Sequence, residues 1–149
     1  MNECYPCRLE ASGSSLPPRE QVYDDGLWRV AHAFNSTLPG WLVALPKRHI
    51  TGLTDLTAAE SAALGPLLQR LSTALAEVTG CDKTYAALFA EAEGFEHLHV
   101  HVVPRMPDLP DDRRGPAVFG YLSRDDSEWL PEPKRDRLAA RLANALAGG

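Results

Sequence analysis

Cysteine is scarce: three residues in 149, an odd count too small to build a disulfide framework on. Positive charge is not in excess either. Fifteen Lys and Arg stand against 20 Asp and Glu, a formal net charge of −5. No global basic field is therefore available to recruit a nucleic-acid polymer or an anionic membrane surface. A small anionic ligand stays possible, because a local pocket can oppose the overall sign. Long apolar runs are absent, and the opening residues, MNECYPCRLEASG, lack the apolar core of a secretory signal. The expectation is a cytoplasmic protein with no membrane partner. No internal repeat or low-complexity tract divides the chain, so residues 1–149 read as a single domain, long enough to bury a core.

What is present falls into an α+β order. ASGSSLPPRE is turn-rich and reads as a loop. Strand signals follow at Val22–Asp24 and Leu27–Phe34, with Asp25-Gly26 as the hairpin turn between them. GWLVALP, residues 40–46, is apolar on both faces and should be central in a sheet. Thr57 with Glu60 three residues on is a capping-box pattern. Leu64, Leu67, Leu68, Leu71, Leu75 and Val78 then recur at helical spacing up to Gly80. Pro66, inside this stretch, predicts a kink or a late start. KTYAALFAE and the following histidine-rich segment read as two further strands, the second running to Val103. A proline-rich irregular loop spans about residues 104–118, and a final helix about 134–147. Five short strands, a long helix after the third and a C-terminal helix predict a mostly antiparallel sheet with helices packed on it.

The chemistry concentrates in EGFEHLHVHVVPR, residues 93–105. Alternating side chains of a strand point to opposite faces, so His97, His99 and His101 share one face, each about 7 Å from the next. Leu98, Val100 and Val102 then face the core, and a slip of one residue would bury the imidazoles instead. Three explanations compete. The rings can be satisfied core histidines, ligands of an open mononuclear metal, or groups with separate tasks that include nucleophilic attack. Cys4 and Cys7 form a C-x-x-C at the start of the chain, which suits a zinc ion but also fits two unrelated thiols.

HLHVHVV resembles, at every position, the histidine–apolar–histidine–apolar–histidine–apolar–apolar signature of the histidine-triad (HIT) family. PGWLVALPKRHI resembles the family's strand ending in proline, basic residues and histidine, and CYPC resembles the C-x-x-C of its zinc-containing bacterial branch. The resemblance spans about Cys4 to Arg105. It implies a HIT-like antiparallel sheet, usually in a homodimer, and a nucleotide hydrolase or nucleotidyl transferase acting at an α-phosphorus. Substrates of the implied class are dinucleoside polyphosphates, nucleoside phosphoramidates and adenylylated small molecules. The middle histidine, here His99, would be the nucleophile and form a nucleotidyl-histidine, which water or another acceptor then cleaves. By the same carry-over His101 would bind a phosphoryl oxygen or the leaving-group side and help move protons. Cys4, Cys7, His49 and His97 would bind one zinc per chain, a closed and therefore structural set.

The pattern departs from the family at two places. Many members carry a further histidine after Pro-Gly or Pro-Thr, backing the nucleophilic ring, where this chain has Trp41. Before the triad, a Gly-Gln-Ser or Gly-Gln-Thr is replaced by Glu93-Gly94-Phe95-Glu96. Gly94 can still offer a backbone N–H to an oxyanion, while Glu93 can contact sugar or act as a base. Asn35 falls near the family's ribose-binding position, and Arg105 is a candidate phosphate partner just beyond the strand. Two other functions stay open: a metal-dependent hydrolase with an open His-ligated zinc, and a nucleotide-binding or sensing protein with weak or lost catalysis.

Overall fold

The protein is described by a computed structural model covering residues 4–148. Its strands are β1 (Tyr23–Asp24), β2 (Trp28–His32), β3 (Leu42–Pro46), β4 (Lys83–Leu88) and β5 (Val100–Arg105). They form one antiparallel sheet in the order β1-β2-β3-β5-β4, with the doubly apolar β3 at its centre. Three α-helices accompany it: α1 (Tyr5–Ser12), α2 (Ala58–Thr79) and α3 (Glu132–Gly148). No helix among the described residues is long and apolar enough to cross a membrane.

Register explains the division of labour between the two faces. Val30 pairs with Ala44, Ala44 with Val100 and Val100 with Leu88, a row that points toward the helices. There Leu67, Leu71 and Leu75 of α2 and Ala139, Leu142 and Leu146 of α3 close the main core. The neighbouring row, Ala31–Val43–His101–Ala87, points the opposite way. Small side chains at 31, 43 and 87 leave room above the sheet. A satellite core of Leu38, Trp41, Val103, Leu109 and Val118 seals one end of that second face.

α2 begins as the capping-box pattern predicts. The Thr57 hydroxyl accepts from the Glu60 N–H and the Glu60 carboxylate accepts from the Thr57 N–H, pairing two otherwise orphaned donors. The Glu60 carboxylate also takes two bonds of 2.8 Å from Arg48, which hold it down to about 2. The helix does not start late: it begins at Ala58 and runs through Pro66 to Thr79. Pro66 and Ala62 are exposed, so the carbonyl left without its partner faces water rather than core. Gly80, at φ 76°, ends the helix in the left-handed conformation.

Three boundaries differ from expectation. The histidine strand begins only at Val100, so His101 alone of the three lies within the ladder. His97 and His99 sit in the approach to it, tied by a 2.7 Å bond from the Leu98 N–H to the Ile50 carbonyl. The alternation survives without regular pairing: Leu98, Val100 and Val102 are all buried. At its other end β5 runs through Pro104 to Arg105. The last β3 pair is Val102, so the missing Pro104 N–H deprives no neighbour on that side. The following segment folds into 3₁₀ turns, and α3 starts at Glu132, earlier than the apolar spacing suggests.

Candidate active site and metal centre

The N-terminal arm opens with helix α1 (Tyr5–Ser12), whose last two residues enter the stretch expected to be loop. Cys4 caps α1, its Sγ accepting from the Cys7 N–H at 3.4 Å, and Pro6 occupies the first turn, where its lost donor costs nothing. Both thiols therefore point the same way, toward His49 after β3 and His97 before β5. Cys7 Sγ lies 3.3 Å from His49 Nδ1 and 3.5 Å from His97 Nδ1, and Cys4 Sγ lies 3.5 Å from His97 Nδ1. The four donor atoms all fall within 4.8 Å of one another. Tetrahedral zinc with bonds of about 2.0–2.3 Å sets its ligands about 3.3–3.8 Å apart. His97 is oriented for the task, because its Nε2–H donates to the Pro46 carbonyl at 2.7 Å and leaves the Nδ1 lone pair facing the thiols. Burial, aided by the Cys4 thiol beside it, pushes the Cys7 thiol up to about 11, so a thiolate at Cys7 calls for a cation. The donor set suits one zinc per chain, and four protein ligands leave it no open position.

His99 and His101 are held differently, and the chemistry of their partners fixes where each proton sits. A carbonyl oxygen only accepts, so the 2.8 Å contact between His99 Nδ1 and the His97 carbonyl places a proton on Nδ1. His99 Nε2 is left with a lone pair. An indole N–H only donates, so the 3.0 Å bond from Trp41 Nε1 to His101 Nδ1 makes that nitrogen an acceptor and puts the His101 proton on Nε2. The two rings stand 4.9 Å apart between centroids at 76°. Burial pushes His101 down to about 4, and the charge on neighbouring His99 adds to it, so His101 is neutral at pH 7.

Both rings open onto a cavity of about 560 Å³. Its walls include Tyr5 of α1, Phe34 after β2, Phe95 before the triad and Trp129 before α3. Their centroids lie 5.1–5.7 Å apart, with Phe34 and Phe95 stacked at 26° and Trp129 edge-on to Phe34. Such a box accepts a flat aromatic group and, through the ring edges, favours a polarisable one. Arg29, also on the cavity wall and 3% exposed, bonds Glu10 and the Glu20 carbonyl and carboxylate. Desolvation raises the Glu20 carboxyl despite that partner.

A family model for the HIT domain matches residues 17–108. The chain belongs to the HIT family. A HIT-like protein of Mycobacterium tuberculosis is 28% identical over 145 residues, covering 95% of this chain and 94% of the relative. A bis(5'-adenosyl)-triphosphatase of Dictyostelium discoideum is 35% identical over 107 residues, 63% of this chain and 72% of that one. A zinc-bound histidine-triad structure from Mycobacterium smegmatis shares the fold at a TM-score of 0.67 and 24% identity, covering 97% of this chain and 94% of its own. The family includes nucleotide hydrolases and transferases.

Within this HIT chain the residues singled out from sequence separate into groups. Cys4, Cys7, His49 and His97 meet at the metal centre. His99, His101, Asn35 and Glu93 line the cavity. Gly94 sits in the turn beside them at φ 83°, a conformation open to glycine, and its carbonyl accepts from the Tyr5 N–H at 3.5 Å. Arg105 does not join them: it lies four residues beyond His101, and its guanidinium bonds Asp82 at 3.3 Å. Trp41 backs His101 rather than His99. His32 is buried in β2, donating from Nδ1 to the Ala33 carbonyl and accepting from the Gly40 N–H at Nε2. The aromatic box escaped sequence reasoning, since residues 5, 34, 95 and 129 show no spacing that links them.

Proposed function

We propose that this HIT protein is a nucleotide hydrolase or nucleotidyl transferase that works through a covalent nucleotidyl-His99 intermediate. The observation that carries the reading is the 2.8 Å bond between His99 Nδ1–H and the His97 carbonyl, which leaves an Nε2 lone pair beside an aromatic cavity. Neutral His99 Nε2 attacks the α-phosphorus, the N–P bond forms, and the bond to the leaving oxygen breaks with its electron pair. Water or another acceptor then attacks the same phosphorus, the N–P bond breaks with its electron pair returning to Nε2, and the attacker's proton passes by way of a product phosphate oxygen to solvent. His101 Nε2–H donates to a phosphoryl oxygen as charge gathers there. The base stacks in the Tyr5–Phe34–Phe95–Trp129 box, Asn35 contacts the ribose, and the Glu93-Gly94 turn borders the phosphates. Zinc, when bound by Cys4, Cys7, His49 and His97, supplies rigidity, joining the α1 wall of the cavity to the segment that carries His99.

A hydrolase built on an open zinc fits less well. His97 belongs to a closed four-ligand set, and His99 and His101 both have Nδ1 engaged by other partners. The substrate class named for the Dictyostelium relative, a dinucleoside triphosphate, is the first to test. The same proposal includes a cytoplasmic location and a homodimer; β4 is an edge strand of the sheet, followed by Phe89 at 63% exposure. Mixing the protein with diadenosine triphosphate and quenching in base, where a P–N bond persists, should add one adenylyl mass, mapped to His99. Turnover that continues at a normal rate in His99→Ala would overturn the reading.

A further inference from the structure

Trp41 is fully buried just before β3, wedged between His101 and Phe119 at centroid distances of 5.7 and 5.2 Å. Its carbonyl accepts from the Ala33 N–H at 2.8 Å, and Leu38, Val103 and Val118 share its core, so the indole has no free volume in which to turn. Its one polar atom is a donor, spent on His101 Nδ1 at 3.0 Å. Protonating that nitrogen would set two N–H groups face to face at hydrogen-bond distance inside the core. From this arrangement we infer that Trp41 confines His101 to hydrogen-bond donation and so restricts the enzyme to substrates whose leaving group departs without a proton. The inference rests on His99 being the nucleophile.

The chemistry follows from counting protons. An acid that gives up a proton must be left in a tolerable form. Neutral His101 losing its Nε2 proton would become an imidazolate, while an imidazolium is barred by the indole. His99 cannot substitute, because its Nε2 is the attacking atom and its Nδ1–H is held by the His97 carbonyl. Of the other titratable groups on the cavity, His32 has both ring nitrogens engaged, by the Ala33 carbonyl and the Gly40 N–H, Glu20 is buried against Arg29, and the Tyr5 phenol is raised by burial. Glu93 stands on the exposed rim, and Arg29 and Arg124 offer hydrogen bonds but hold their protons. When Nε2 attacks phosphorus in a phosphoanhydride, the departing oxygen belongs to a phosphate and carries the electron pair off as a stable anion. An amine leaving from a phosphoramidate, or an alkoxide from an alkyl ester, needs a proton at that moment. The substrate class is therefore the anhydrides: dinucleoside polyphosphates and nucleotides joined to another phosphate or a carboxylate. Trp41 acts as a positioning residue through His101 and never touches substrate.

The test compares kcat/KM for diadenosine triphosphate, for an alkylamine phosphoramidate of AMP, and for a series of aryl esters of AMP with graded leaving-group basicity. The wild type should favour the anhydride over the phosphoramidate by about 10²–10⁴-fold, the size of a missing general acid, with a steep dependence across the esters. Trp41→His supplies a ring that can accept from His101 Nδ1. It should flatten that dependence and raise the phosphoramidate-to-anhydride ratio at least tenfold. A reading free of any variant is the ¹⁵N spectrum of the wild-type His101 ring, expected as the neutral Nε2–H form from pH 8 to about pH 5. Cleavage of both classes within tenfold by the wild type, or His101 protonated at Nδ1 at pH 7, overturns the inference and leaves the nucleophile intact. No turnover of any substrate and no adduct on His99 overturns the nucleotidyl-transfer reading and this inference with it.

Discussion

Stripping the metal should cost the fold a measurable amount, and the structure sets the scale. The four ligands draw together three stretches of chain that are far apart in sequence, with Cys7 and His49 separated by 42 residues and Cys7 and His97 by 90. Treated as a cross-link, closing a loop of about 42 residues removes unfolded-chain entropy worth about 4 kcal/mol at 25 °C. Unfolding entropies of about 2.1 cal/mol/K per residue give a chain of this length a slope of about 0.3 kcal/mol per degree, so the loss corresponds to a fall of roughly 13 °C in Tm. Local disorder would also reach the cavity, because α1 carries both thiols and Tyr5. The assay is calorimetric unfolding of the purified protein before and after dialysis against a strong chelator, with zinc content measured on the same samples. About one zinc per chain, a drop of that order and recovery on adding zinc back are expected. A zinc-free protein that melts within about 2 °C of the starting material, and still binds nucleotide equally well, would refute the cross-link reasoning.

Other outcomes follow from single side chains. His99→Ala should lower kcat by at least about 10³-fold while leaving Tm within about 2 °C, since the ring is only partly buried and its one bond is to a carbonyl. Phe34→Ala removes the ring that touches three others in the box, and should weaken AMP binding by about tenfold or more in titration calorimetry. Leu71→Ala, with a fully buried side chain on α2, should cost about 2–5 kcal/mol by urea unfolding without changing the metal content. Arg48 and the Thr57 N–H hold Glu60 down to about 2 from an ordinary 4.5. A carboxylate lowered on folding stabilises above its unfolded value, so this contribution is complete above about pH 4.5 and lost as pH falls through about 2. Glu60→Gln should therefore lower the urea midpoint at pH 7, by an amount that solvent screening of half-exposed Arg48 keeps modest and that shrinks as pH falls toward 2.

The features legible in the sequence are those written in short-range patterns. Alternation from His97 to Val102 sets faces whether or not the ladder forms, so the partition of rings from apolar residues holds even where β5 has not begun. The α2 start is carried by Thr57 and Glu60 three positions apart, a signal independent of tertiary context. Long-range pairings left weaker traces. α1, only eight residues long, carries no apolar period to announce it, although its capping thiol and a proline in the first turn favour it locally. The partner of Trp41 depends on a β3–β5 register that places residue 43 opposite His101, and no local pattern reports it. Arg105 looked like a phosphate ligand by nearness in sequence. The extra two residues of β5 carry it beyond the cavity to Asp82.

The stereochemical course at phosphorus tests the account most directly. A substrate made chiral at its α-phosphorus by isotopic or sulfur substitution would be hydrolysed and the product's configuration determined. Two successive in-line displacements, first by the imidazole of residue 99 and then by water, give net retention. Net inversion, the mark of water attacking the substrate in a single step, would contradict it.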